Sequence, residues 1–222
     1  MLTLPLAGII KNYFPESKVL FLGRTYTKDI INLSEYIDGF INYDDFTKLN
    51  TSQKIEYVKG IGADVFLHVF PRRDIAFIAK RAGIPLRVGT RNRAYHWFTC
   101  NKLLNLSRKN SDLHEAQLNI KLLEFLGIDT TLSLSSIPAY YGFTKIPLLE
   151  ERYSEWIDRT KFNLILHPKS KGSAKEWGMA NFEKLIMLLP KDQFKIFISG
   201  TAEDAKSMKQ FIDKNDIATD IT

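Results

Sequence analysis

Short apolar runs alternate with stretches of helical spacing along most of the chain, the pattern of an α/β fold with parallel strands. "KVLFLGR" (18–24) reads as a strand ending at Gly23, and "GFINYD" (39–44) as a shorter one. "TSQKIEYVKGIG" (51–62) has helical spacing and a glycine stop. "ADVFLHVF" (63–70) is nearly continuous in apolar residues, as in a strand covered on both faces. "RRDIAFIAKRAGI" (72–84) predicts a helix ended by Gly83, and "PLRVGT" (85–90) the next strand. The opening "MLTLPLAGIIKNYFPES" has no basic n-region and no small-x-small cleavage site, so it predicts a helix rather than a signal peptide.

Residues 91–110, "RNRAYHWFTCNKLLNLSRKN", interrupt the rhythm: they are basic, aromatic and weakly periodic. "SDLHEAQLNIKLLEFLGI" (111–128) predicts a helix capped by Ser111 or Asp112 and stopped by Gly127, with His114 packing or capping within it. "DTTLSLSSIPAYYGFTKIP" (129–147) is irregular and polar, as in an interdomain connection, and "LEERYSEWIDRT" (149–160) is a short amphipathic helix. A second α/β run follows: strand "FNLILHP" from Phe162, helix "NFEKLIMLLP" (181–190), strand "FKIFISG" (194–200) and helix "AEDAKSMKQFIDKN" (202–215). The closing "DIATDIT" has room for one more strand or loop. Two strands and two helices are few for an independent sheet domain, and the first unit starts on a helix although its strand at 18–24 needs a neighbour. Both ends are therefore expected to be cut.

With 222 residues, 45% hydrophobic and 12% aromatic, the chain holds one large or two small globular domains. No run approaches the roughly 18 apolar residues of a membrane helix. The single cysteine, Cys100, makes no internal disulfide; it points to a reducing compartment and to a partly buried thiol rather than a nucleophile. The net charge of +6 favours an anionic partner without choosing among nucleotides, phosphorylated glycans, nucleic acid and acidic membrane.

In parallel α/β sheets, ligands sit beyond the carboxyl ends of the strands, where loops enter helices. "HPKSKGSAKEW" (167–177) is such a loop. Its backbone N–H groups and the next helix N-terminus suit an anion. Ser170 and Ser173 add hydroxyls, and Lys169, Lys171 and Lys175 add charge. The loop has neither P-loop nor G-x-G-x-x-G spacing, and its composition equally fits a solvated turn. In "ISGTAEDAK" (198–206), Gly200 permits a turn or a close approach to a ligand, and Thr201, Glu203 and Asp204 follow. A carboxylate there either caps its helix or takes the two hydroxyls of a ribose. "GTRNRAYHW" (89–97) offers Arg91 and Arg93 as a fork for phosphate or carboxylate, Tyr95 and Trp97 as stacking rings, and His96 for acid–base work; a solvated loop fits equally well. His68 and His167, at strand ends, read as structural.

Taken in order, "LTLPLAGIIKNYFPESKVLFLGR", "RAGIPLRVGTRNR", "LHPKSKGSAKEWGMANFEKLI" and "FISGTAEDAK" resemble the heptosyltransferase family, bacterial glycosyltransferases that transfer heptose from ADP-heptose to the lipopolysaccharide core. The resemblance covers almost the whole chain. It implies an α/β fold of two Rossmann-like domains of GT-B type: residues 1–147 on the acceptor side, lacking a first strand, and residues 148–222 binding the nucleotide-sugar, incomplete. It implies that Ser170 contacts the diphosphate and Lys175 neutralises it, that Gly200 and Thr201 form the second donor turn, and that Asp204 or neighbouring Glu203 takes the ribose. Arg91 and Arg93 would lie near a phosphorylated, lipid-linked glycan acceptor. No metal, no cofactor beyond the ADP-sugar donor and no nucleic acid are implied. The location would be cytoplasmic, with peripheral contact at the inner membrane left open. The family's Gly-Asp pair, whose Asp is the general base, would fall before Met1, and its Asp-x-Gly-x-x-His segment after Thr222. The chain is thus expected to be truncated at both ends and inactive alone, with no catalytic residue of its own. The rivals are a non-catalytic nucleotide-binding remnant of the same fold and, from charge alone, a nucleic-acid binder.

Overall fold

The computed structural model describes residues 1–107, 110–170, 172 and 174–215. The chain divides into two compact units, Met1–Ile146 and Pro147–Thr222.

In the first unit, α1 (Pro5–Tyr13) starts on a proline, whose missing N–H costs nothing in a first turn. It is followed by β1 (Leu20–Gly23), α2 (Lys28–Asn32), β2 (Gly39–Asn42), α3 (Tyr43–Lys48) and α4 (Thr51–Ile61). Then come β3 (Val65–Leu67), α5 (Arg73–Arg81), β4 (Leu86–Thr90), α6 (His96–Thr99), β5 (Lys102–Leu104) and α7 (Glu115–Ile120). β1 pairs with β2 in parallel, and β3, β4 and β5 form a parallel sheet with β4 in the middle. Helix α4 shows how local signals set an end: Asn50 and Gln53 form a reciprocal cap, and Gly62 closes the other end at a φ of 65°.

Three sequence expectations change here. The helix expected over 111–128 is capped by His114, whose Nδ1 accepts from the Ala116 N–H while the Gln117 side chain accepts from the His114 N–H. It tightens into 3₁₀ turns at Lys121–Leu126, where Leu122 and Leu123 are buried. The irregular segment 91–110 contains a strand, β5, too short to show a period of two. The segment 129–147, expected to be irregular and polar like an interdomain connection, is mostly exposed and runs to the boundary between the two units, but it is anchored to the first. Ile137 packs with Leu6, Ile9, Ala116, Ile120, Leu123 and Ile128, and Ser34 Oγ donates to the Tyr141 carbonyl at 2.7 Å. Its apolar anchors are spaced too widely among serines and threonines to register as a pattern.

After the single-turn α8 (Glu151–Ser154), far shorter than the amphipathic helix expected over 149–160, the second unit runs β6 (Phe162–Leu166), α9 (Met179–Leu188), β7 (Phe194–Ile198) and α10 (Ala202–Asn215). β6 and β7 pair in parallel from Phe162 opposite Phe194 to Leu166 opposite Ile198. Leu166, Ile186, Met208 and Ile212 form the core between this pair and the two helices, while Phe162 and Ile165 remain exposed. The closing segment, residues 216–222, lies outside the described residues.

At the carboxyl edge of the β3–β5 sheet, His68 and His96 are buried with their rings 5.1 Å apart. A glycine is required beside them: a Cβ on Gly89 would stand 2.6 Å from His96 Nδ1 and 2.8 Å from Cys100 Sγ. Burial, with smaller contributions from His96 and Arg87, pushes the His68 pKa down to about 3. The imidazole is therefore neutral near pH 7. In the unfolded chain it titrates near 6.5, so between about pH 6.5 and 3 the unfolded state takes up the proton first and stability falls as pH falls. From pH 7 to pH 5 this one group should remove about 2 kcal/mol of stability. Urea unfolding at the two pH values checks this: His68→Phe should lose less stability than the unaltered chain, and equal losses would contradict it.

Candidate functional site

Because β6 and β7 are parallel neighbours with Leu166 opposite Ile198, the segments that follow them leave the same edge side by side. They are tied together: the Ser199 N–H donates to the Leu166 carbonyl at 2.9 Å, and His167 Nδ1 lies 3.0 Å from both Ser199 O and Ser199 Oγ. The loop entering α9 then folds on itself. Ser170 Oγ donates to the Ala174 carbonyl at 2.8 Å. The Glu176 carboxylate accepts the Ser170 N–H at Oε1 and Lys169 Nζ at Oε2, each at 3.1 Å. Gly178, at a φ of 94°, turns the chain into α9. The Ser170 N–H, and after it Lys169, hold the Glu176 carboxyl below the usual range. A backbone N–H and an ammonium converging on one carboxylate are the donor types that hold a phosphate oxygen.

The turn after β7 is capped internally. Asp204 Oδ2 accepts from Thr201 N at 2.9 Å and Thr201 Oγ1 at 2.7 Å, and the Asp204 N–H returns to Thr201 Oγ1 at 3.3 Å. Gly200 does not adopt the left-handed conformation here. A Cβ there would stand 3.1 Å from Asp204 Cβ, so the glycine makes room for this cap. Glu203 is exposed in the same first turn. Both carboxylates lie in segments that leave the same edge of the β6–β7 pair, and the Asp204 charge slightly opposes the lowering of the Glu176 pKa. The structure thus gathers Lys169, Ser170, Glu176, Gly200, Thr201 and Asp204 there; Lys175 is exposed in the loop, and Lys171 and Ser173 lie outside the described residues. Two contributors were not singled out from the sequence. His167, read only as structural, laces the two segments together, and Glu176 supplies the internal anion. Their only sequence signals are a His-Pro at a strand end and an acid inside a lysine-rich loop.

In the first unit, Arg93 lines a cavity of about 20 Å³ with His68, Thr90, Asn92 and Asn119. That is room for about one water or one ligand oxygen. Among the described residues, the Nε2 atoms of His68, which lines this cavity, and of His96, whose ring lies beside it, are buried without a hydrogen-bond partner. Such atoms are rare in folded proteins and normally find a water or ligand. Arg91 contributes its carbonyl, which accepts the Trp97 indole N–H at 2.9 Å. His96 is not placed for acid–base work: it is fully buried, and its Nδ1 is 3.0 Å from both N and O of Thr90. Tyr95 packs edge-on against that ring at 4.8 Å rather than standing open for a ligand.

Neither a protein-family model nor a curated protein sequence matches the chain. Solved structures do share its fold. E. coli ADP-heptose lipopolysaccharide heptosyltransferase II superposes with a TM-score of 0.68 at 14% identity, covering 96% of this chain and 64% of that one. A glycosyl transferase of family 9 from Veillonella parvula DSM 2008 gives 0.70 at 18% identity, covering 99% and 63%. E. coli heptosyltransferase WaaC, bound to ADP-2-deoxy-2-fluoro heptose, gives 0.69 at 14% identity, covering 95% and 68%. The chain therefore has the parallel α/β fold of the GT-B glycosyltransferases, as the sequence implied, and spans less than two thirds of the length of the first two structures.

The internal carboxylate makes the loop testable by itself. Glu176→Gln leaves Lys169 and the Ser170 N–H without a competing charge, so inorganic pyrophosphate should bind about 3- to 10-fold more tightly by calorimetry. Equal or weaker binding would contradict the reading of this loop as an anion cradle.

Proposed function

We propose that this chain forms the acceptor-side and donor-binding parts of a metal-independent, inverting glycosyltransferase. Its donor is ADP-heptose or a close relative, and its acceptor is the lipopolysaccharide core or a similar phosphorylated, lipid-linked glycan. The observation that carries the reading is the Glu176 carboxylate held by the Ser170 N–H and Lys169. It lies in the stretch that most resembles the heptosyltransferase loop, within a fold shared with a protein that binds ADP-2-deoxy-2-fluoro heptose.

In this reading the diphosphate replaces Glu176 on the Ser170 N–H and Lys169, and Lys175 adds the second positive charge. Gly200 and Thr201 form the adjoining turn. Glu203 is already exposed and takes the ribose hydroxyls without breaking a contact, whereas Asp204 must first release Thr201. Lysines and backbone amides then stabilise the departing ADP as its charge develops. On the acceptor side Arg91 and Arg93 meet the anionic groups of the glycan. The acceptor's lipid brings the protein into peripheral contact with the cytoplasmic face of the inner membrane. Among the described residues, no helix is long and apolar enough to cross one.

The general-base Asp and the Asp-x-Gly-x-x-His segment of the resembling family match no position among these 222 residues. The 222-residue chain should therefore bind ADP without transferring sugar from ADP-heptose. By calorimetry, Lys175→Ala should weaken ADP binding about tenfold, the worth of one charge-assisted contact. Unchanged affinity would contradict the donor assignment, and sustained sugar transfer would contradict the placement of the base outside these residues.

A further inference from the structure

Helix α5 buries Ile75, Ala76, Ile78 and Ala79 and turns Arg73, Phe77, Lys80 and Arg81 outward along one stripe. Aromatic rings extend that stripe. Phe70, 83% exposed, shares an open surface depression with Arg73 and the 39% exposed Phe77. At the other end Lys80 Nζ donates to the Phe98 carbonyl at 2.7 Å and holds α6 beside the stripe. There Trp97 and Phe98 stand 62% and 71% exposed. The Trp97 ring is positioned by its N–H bond to the Arg91 carbonyl. The Arg73 guanidinium lies 5.8 Å from the centre of the Phe77 ring. Asp74, on the same helix, is engaged by Arg72 and by the Tyr43 hydroxyl.

Among the described residues no carboxylate pairs with Arg73 or Arg81, and exposed aromatic rings grouped beside such cations are the mark of an interaction surface. A second copy of the chain is a poor occupant, because a two-fold contact would set Arg73, Lys80 and Arg81 against their own like charges. A lipid headgroup layer satisfies both features: Phe and Trp rings settle at the headgroup–acyl boundary, and Lys and Arg pair with anionic phosphates. We propose that the face formed by Phe70, Phe77, Trp97 and Phe98, with Arg73 and Arg81, docks on an anionic bilayer surface. It gives the membrane contact of the proposed function a location. Vesicle binding is read without nucleotide, so failure here and failure of the donor site are separable.

Co-sedimentation with phosphatidylcholine vesicles, with and without about 30% phosphatidylglycerol, tests this. The chain should bind the anionic vesicles and do so less as salt rises. Phe70→Ser/Phe98→Ser should lower that binding about tenfold or more, and Arg73→Glu/Arg81→Glu should abolish the preference for anionic lipid. All four positions are exposed, and circular dichroism checks that the variants fold. No binding by the unaltered chain, or binding that survives the Phe changes, overturns the proposal. Self-association that those changes abolish, without vesicle binding, overturns it in favour of a contact between copies.

Discussion

The parallel register that sets Leu166 opposite Ile198 is the constraint on which the candidate site depends. It delivers two strand ends to one edge, and with them His167 and Ser199, which bond to each other across the gap between the segments. Leu166, Ile186, Met208 and Ile212 fix α9 and α10 against the strand pair. The N-terminal turns of both helices therefore face the same edge. Without that register, the lysines and serines of the first loop and the carboxylates of the second turn would be unrelated surface groups.

Several donors of the edge are already occupied by side chains of the protein itself. Glu176 occupies donors suited to a phosphate, and Asp204 occupies the N–H and hydroxyl of Thr201. Such bonds hold the loop in a defined shape, so that in the proposed reading a diphosphate would meet donors that are already converging. The cost is that an incoming anion must displace a carboxylate, which limits affinity until that carboxylate moves to solvent. Binding in this reading is an exchange of one anion for another at the same donors, and the added negative charge of the diphosphate has to be met by the lysines of the loop.

Much of the architecture was legible in the sequence because its signals are local. The apolar run at 162–166, the helical spacing over 51–62 and the stop at Gly62 each specify an element within a few residues. What stayed hidden depends on long-range packing. Ile137 anchors a segment that reads as polar, and β5 is three residues long and owes its existence to pairing with β4. The same distinction holds at the site. The lysines, serines and carboxylates were visible as candidates, but their partners were not. Whether Glu176 would bind Ser170, or Gly200 would make room for Asp204 rather than for a ligand, depends on how the loop closes. At the other edge, Arg93 and His68 are 25 positions apart in sequence, and only the β3–β4 pairing sets them around one cavity.

The central claim is that the β6–β7 edge is a diphosphate cradle. It is tested most directly by titrating the 15N-labelled chain with ADP and following backbone amide shifts. The account predicts that the largest changes fall on Lys169, Ser170, Glu176 and Thr201, with the Ser170 amide moving as it exchanges the Glu176 carboxylate for a phosphate oxygen. Saturable shifts confined to other parts of the chain, or none at millimolar ADP, would contradict it.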